Sequence, residues 1–431
     1  MRADVPTRPV TPRVTPRVTP PVLRPLTRAR ATVFAGPDVD VPPRRRAVLA
    51  IFAMAIGSFA IGTSEFVTMG LLPDIADGLG VSIPQGGYLI SAYAVGVVLG
   101  APVIAAAGAR MPRRRLLGVL MLAFAAANVL TAVAPGPVGV TAARLLAGLL
   151  HGAYFGVASL LAASLALPER RGQAVSSVML GLAAANVVGV PAATWLGQAV
   201  GWRSAYWTVS AIAVLCVLAT AMLVPSAPGS SEASVRRELS ALRRPQVWLT
   251  VLVGMIGFGG MFSMYSYIAP LITDVTGMSA GSIPLVLLAF GVGGVLGTVA
   301  GGRAADRALV PSLVASLSLM VLLLAGLTVL AQTAIGITVG VFVIAFNGSV
   351  LVTCLQMRLM DVAGDARTLG AALNHASLNA ANALGAWLGG LVIGAGLGLL
   401  APSRVGAALA AGGLGVLMVS VLWERHTDQP T

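Results

Sequence analysis

Apolar stretches of roughly 20 residues, the length a helix needs to cross the hydrocarbon layer of a bilayer, return twelve times along this chain of 431 residues. They fall near 47–73, 85–107, 116–134, 138–166, 174–198, 205–224, 247–272, 283–303, 309–330, 334–359, 368–396 and 402–423, and the short loops between them hold nearly all the charge. Inside hydrocarbon every backbone N–H and C=O must pair within the protein. Spanning β-strands are only about ten residues long and alternate in polarity, so continuous apolar runs of this length must be helices. The expectation is an all-α membrane protein of twelve transmembrane helices. A chain that is 57% hydrophobic and 10% charged is not a soluble domain.

The net charge of +13 is of the kind that attracts polyanions, so the placement of the basic residues matters. All 28 are arginines; 25 lie in the N-terminal tail and in the alternate loops that share its side. Arg203 and Arg404 lie on the opposite side, and Arg144 lies within a span. This is the positive-inside asymmetry of a multi-pass protein of the cell (inner or plasma) membrane with both termini cytoplasmic. It accounts for the basic excess through the lipid bilayer alone, with no nucleic-acid partner.

Cys216 and Cys354 sit in apolar spans and read as packing thiols rather than a disulfide. Residues 1–46 are rich in Pro and Arg, with the repeat Val10-Thr11-Pro12-Arg13-Val14-Thr15-Pro16-Arg17, and read as a disordered cytoplasmic tail. There is no Walker loop, no HExxH and no clustered Cys or His set, so no cofactor, no metal and no enzymatic chemistry is expected.

Shifting the sequence by 197 places lays Gly96, Leu99, Gly100, Ala107 and Arg110 on Gly293, Leu296, Gly297, Ala304 and Arg307. Two six-helix halves follow, 47–224 and 247–423, joined by a charged cytoplasmic linker at 225–246 and followed by a short cytoplasmic tail at 424–431. Parallel repeats of this kind turn about an axis normal to the membrane and bind at their interface.

Several motifs then become specific. Gly302-Arg303-Ala304-Ala305-Asp306-Arg307 has the form G-x-x-x-D-R, while the matching first-half loop around Arg110 keeps its arginines and lacks the Gly and Asp. Gly62-Thr63-Ser64-Glu65-Phe66, Ser91-Ala92-Tyr93-Ala94-Val95-Gly96, Arg144-x-x-x-Gly148-x-x-His151-Gly152 and Asn186-Val187-Val188-Gly189-Val190-Pro191 complete the set. Together these resemble the major facilitator superfamily, in its drug:proton antiporter branch, with chloramphenicol-resistance exporters and arabinose-efflux-like permeases as the nearest pattern. The resemblance implies a monomeric alternating-access exporter whose partners are a small drug-like substrate and protons, chloramphenicol-type antibiotics foremost. Export of sugars, nucleosides or another metabolite is the alternative. It also implies gating roles for Gly302, Asp306 and Arg307, for Arg110, and for Gly189 and Pro191.

Glu65 is the one acidic residue within a span, and a carboxyl at that depth is costly, by about 2.5–3.5 kcal/mol. It is therefore expected to face a polar cavity and carry the proton, or else to join two helices. Arg144, the one base within a span, is expected to reach Glu65 and stabilise its ionised form, either as part of the cycle or as a fixed salt bridge. Arg144, Gly148, His151 and Phe155 share one helical stripe, and His151 can relay protons or hydrogen-bond a neighbour. In the eleventh span His375, Asn379 and Asn382 form a second polar stripe that contacts substrate or joins helices. In the seventh, Phe258, Phe262 and Tyr265, among methionines, offer an adaptable surface for substrate or a lipid-facing one.

Overall fold

The computed structural model describes residues 43–108, 111–167, 170–225, 240–364 and 366–427. Arg110, most of the tail and most of the linker lie outside the described residues. Among those described, eleven helices are long and apolar enough to span a membrane, and one of the eleven spans twice. In chain order they are α1 (Arg44–Gly70), α2 (Ile83–Gly108), α3 (Arg113–Val133), α4 (Pro137–Ser164), α5 (Arg171–Val200), α6 (Arg203–Leu223), α7 (Pro245–Tyr265), α8 and α9 as the two arms of Ile283–Leu330, α10 (Ala334–Ala363), α11 (Arg367–Gly394) and α12 (Ala401–Thr427). The double span breaks at Ala308, whose φ of −161° and ψ of 79° leave the helix. Pro311 follows within a turn; it has no N–H to return to the chain and its ring crowds the carbonyl four residues back.

The repeat seen in the sequence is also a repeat of contacts. Gly96 and Gly100 on α2 press against the carbonyls of Leu145 and Leu149 on α4, leaving no room for a Cβ. Gly293 and Gly297 on α8 press in the same way against the carbonyls of Phe342 and Phe346 on α10. Donor glycines and receiving carbonyls keep one offset in both halves. In lipid there is no hydrophobic gain from helix association, so close backbone approach through small residues carries the packing energy.

The outside of the bundle is apolar: Phe52, Val138, Leu180, Met222, Leu322 and Ile335 are exposed. Exposed Trp195 and Trp207 stand near one set of helix ends, and exposed Trp248 and Trp423 near the other, as interfacial aromatics do.

The halves meet where α2 packs on α11 and α5 on α8. Gly291 of α8 lies on the backbone of Asn186 in α5. Between the halves, on the side away from most arginines, Gln198 donates to the Ala280 carbonyl at 2.9 Å and Ser91 to the Ala383 carbonyl at 3.3 Å, and Gly87 lies against the Tyr267 hydroxyl. On the arginine-rich side the bonds Arg358–Glu424 (2.7 Å), Gln246–Ser420 and Arg244–Val362 stay within the second half, and Arg114–Ala221 stays within the first. Hydrogen bonds from Gln198 and Ser91 thus tie the halves together on the side away from most arginines.

Candidate transport site

Three consecutive residues of α1 point three ways, because successive side chains on a helix are turned by about 100°. Ser64 faces the interior of the first half, where its hydroxyl donates to Asn128 Oδ1 at 2.8 Å and accepts from Arg144 Nη1 at 2.9 Å. Glu65 faces the junction of the halves: its Oε1 accepts from Asn382 Nδ2 of α11 at 3.3 Å, and its Oε2 lies 4.0 Å from His151 Nδ1 of α4. Phe66 faces α7, its ring parallel to Phe262 at 6.4 Å and edge-on to Tyr265 at 6.2 Å. Glu65 is only 6% exposed, so the sole carboxylate at this depth touches both halves while closed from solvent.

The expected bridge from Arg144 to Glu65 is not formed. Arg144 is completely buried, its guanidinium lying 4.1 Å from the centre of the Tyr93 ring and 5.6 Å from that of Tyr206. Its one hydrogen bond goes to Ser64, and its Nε and Nη2 have no partner. The rotation along α1 explains this: the side chain turned toward Arg144 is Ser64, and Glu65 lies a hundred degrees away. The imidazole of His151 lies 4.0 Å from the carboxylate, and its Nδ1 is hydrogen-bonded to the Tyr93 hydroxyl at 3.0 Å.

The α7 aromatics turn inward. Phe258, Phe262 and Tyr265 are all buried, Phe258 stands edge-on to Phe262 at 5.4 Å, and Tyr265 stacks on Phe290 of α8 at 3.9 Å. They therefore line the seam between the halves beside Glu65 and do not face lipid. On α11, Asn382 meets Glu65, Asn379 donates to the His375 carbonyl, and His375 lies nearly parallel to Phe155 of α4 at 5.8 Å. The carbonyl oxygens of Asn374, Asn379 and Asn382 are buried without partners. Among the described residues no three His, Cys, Asp or Glu gather closely enough to hold a metal.

The residues expected to gate lie apart from this centre. Gly302, Asp306 and Arg307 close α8 just before the break at Ala308, and both charged side chains are exposed. Gly189 and Pro191 sit in α5, where a wide turn over Ala185–Gly189 absorbs the missing N–H of the proline. Gly189 packs on Thr63 and Phe59 of α1, which joins this turn to the segment that carries Glu65.

Sequence reasoning missed Asn128, Tyr206, Phe66 and Phe290. Asn128 had a signal, an amide in an otherwise apolar span; Phe290 had none, since one phenylalanine in a membrane helix marks no direction.

Comparison with known proteins places the whole bundle. The family model for the Major Facilitator Superfamily matches residues 54–386. Over 369 residues the chain is 40% identical to the inner membrane transport protein YdhP of Escherichia coli (strain K12), covering 86% of this chain and 94% of that one. It is 31% identical over 367 residues to the chloramphenicol resistance protein of Streptomyces lividans, covering 84% and 94%. The crystal structure of a D-xylose-proton symporter shares the fold, with a TM-score of 0.67 at 17% identity over 86% of this chain and 97% of that one.

Proposed function

The chain belongs to the major facilitator superfamily, and from that premise we propose that it expels small drug-like molecules from the cell in exchange for protons. It is a multi-pass membrane transporter, not an enzyme. The observation that carries the finer reading is Glu65, a buried carboxylate that accepts from Asn382 of the second half and lies 4.0 Å from His151 of the first. Ionised, it binds the Asn382 N–H with a charge-assisted bond, about twice as strong as a neutral one. Protonated, it holds the halves together less tightly, so proton arrival and separation of the halves favour each other. The arginine-rich side is the cytoplasmic side in this reading.

The α7 aromatics beside Glu65 suit an aromatic or amphipathic substrate, and the 31% identical relative named for chloramphenicol resistance supports that class. The unpartnered carbonyls of Asn374, Asn379 and Asn382 would also accept from hydroxyl groups, which favours a sugar- or nucleoside-like metabolite as the second reading. A susceptibility panel in a host stripped of efflux pumps separates the two. With the gene present, the inhibitory concentration of chloramphenicol or another amphipathic drug is expected to rise. Unchanged resistance across the panel, with efflux of a sugar or nucleoside from loaded cells, rejects the drug reading.

Asp306 and Arg307 act in this scheme as part of the cytoplasmic gate. Asp306→Asn removes the negative charge at the end of α8, beside the break at Ala308, so transport is expected to fall about tenfold, the equivalent of about 1.4 kcal/mol. Substrate affinity in detergent is expected to hold, because the loop is far from Glu65. Lost binding would make Asp306 a residue of the site or the fold.

A further inference from the structure

One ring stands between the site and the cytoplasmic side. Phe155 of α4 lies 5.1 Å from the His151 ring at 58°, and 5.8 Å from the His375 ring of α11 at 13°, so one phenyl ring packs on both imidazoles. It is buried, and α4 and α11 both place it on the same side of Glu65. Phe155 is four residues beyond His151 along α4, about 6 Å toward the cytoplasm. His375 is seven residues before Asn382 along α11, about 10 Å in the same direction. Tyr154 stands edge-on to Phe155, but its hydroxyl is turned away and donates to the Met54 carbonyl at 2.7 Å. His151 is held by Tyr93, lies 4.0 Å from Glu65 and packs on the Phe155 ring.

A proton moves between groups only within hydrogen-bond reach, about 2.6–3.2 Å or through one water. A phenyl ring between two imidazoles offers neither a donor nor an acceptor, and apolar constrictions exclude water. The Phe155–His375 stack also joins α4 of one half to α11 of the other, so it must part when the halves part.

We propose that Phe155 is the proton valve of the exchange, an apolar plug that separates Glu65 and His151 from His375 and the cytoplasm until the halves move. This rests on the proton-exchange reading above. With the plug in place a proton bound at Glu65 cannot escape inward without a conformational step, which keeps the exchange from running as a leak. When α4 and α11 separate, water reaches past Phe155 and His375 becomes the inner station of the path.

The test uses the full chain in liposomes that enclose a pH-sensitive dye, with an imposed pH gradient and no substrate. Phe155→Ala opens a void much larger than the roughly 30 Å³ of one water. Its proton entry rate is expected to exceed the parent's by about tenfold, a 1.36 kcal/mol lower barrier. Phe155→His, which keeps a flat ring in this place and gives it a nitrogen donor and acceptor, is expected to leak as well and stands in if the alanine variant fails to fold. Phe155→Leu restores an apolar plug and is expected to bring the rate back toward the parent's. Adding Glu65→Gln to Phe155→Ala is expected to remove the leak, which a merely loosened fold would not do. Folded Phe155→Ala or Phe155→His protein that is as proton-tight as a parent still exchanging substrate for protons overturns the valve alone. A parent that moves no drug, sugar or nucleoside under the gradient overturns the exchange reading and the valve with it.

Discussion

Glu65→Gln is expected to stop efflux driven by a pH gradient while leaving the protein folded. Glutamine keeps the size of the side chain and can still accept from Asn382 through a neutral bond, but it never ionises, so it holds the site in its protonated form. A positioned proton-transfer group contributes roughly 10²–10⁴-fold to a rate, and a loss within that range is expected for gradient-driven efflux from liposomes. Substrate binding in detergent is expected to persist and to lose its dependence on pH. If binding falls too, the substrate is a cation that Glu65 neutralises directly. Normal gradient-driven efflux by the variant would remove Glu65 from the mechanism and leave His151 or His375 as the carrier.

Arg144→Met is expected to stop transport too, with the opposite signature in stability. Arg144 is wholly buried, holds one hydrogen bond to Ser64, and has two guanidinium nitrogens without partners. The faces of Tyr93 and Tyr206 offset part of the cost of burying this charge, while two of its nitrogens gain no hydrogen bond. Methionine fills the space between Tyr93 and Tyr206 without that penalty, and apolar replacement of buried ions stabilises other proteins by about 1 kcal/mol or more. The melting temperature in detergent is therefore expected to hold or rise. Efflux is expected to vanish, because Arg144 fixes Ser64, and with it the rotation of α1 that aims Glu65 at the seam. A variant that melts much lower would make Arg144 a structural cation, and one that transports normally would remove it from the cycle.

The sequence disclosed the parts whose signal is local. Apolar length marked the spans, and the matched glycines marked the two halves, because both properties are written along one helix. The break at Ala308 agrees with the boundary drawn between 303 and 309. Glu65 stood out for the same reason, a carboxylate where its cost is highest. The choice of partner was not legible. Ser64 and Glu65 are adjacent in sequence but turned about 100° apart, and depth along the membrane carries no information about that angle. Arg144 therefore makes its hydrogen bond to Ser64, where the sequence had suggested a direct bridge to Glu65. The inward turn of Phe258, Phe262 and Tyr265 was open for a similar reason: an aromatic stripe looks alike whether it meets lipid or another half. Phe66 and Phe290 settle it, and they come from other helices.

The offset of 197 that pairs the α2–α4 contacts with the α8–α10 contacts also assigns a counterpart to each residue of α4. Arg144 and His151 correspond to Val341 and Gly348 of α10, both buried and neither able to titrate. A duplicated ancestor with identical halves would have carried the same chemistry twice, and here only one copy keeps the charges. At the positions matching Arg144 and His151 the second half carries only Val341 and Gly348, and what it brings to the seam comes from α7, α8 and α11 instead. The molecule is symmetric as a hinge and polarised as a machine. Restoring His at Gly348 would not give a second carrier, since Met261 and Phe258 already occupy the space into which its side chain would project.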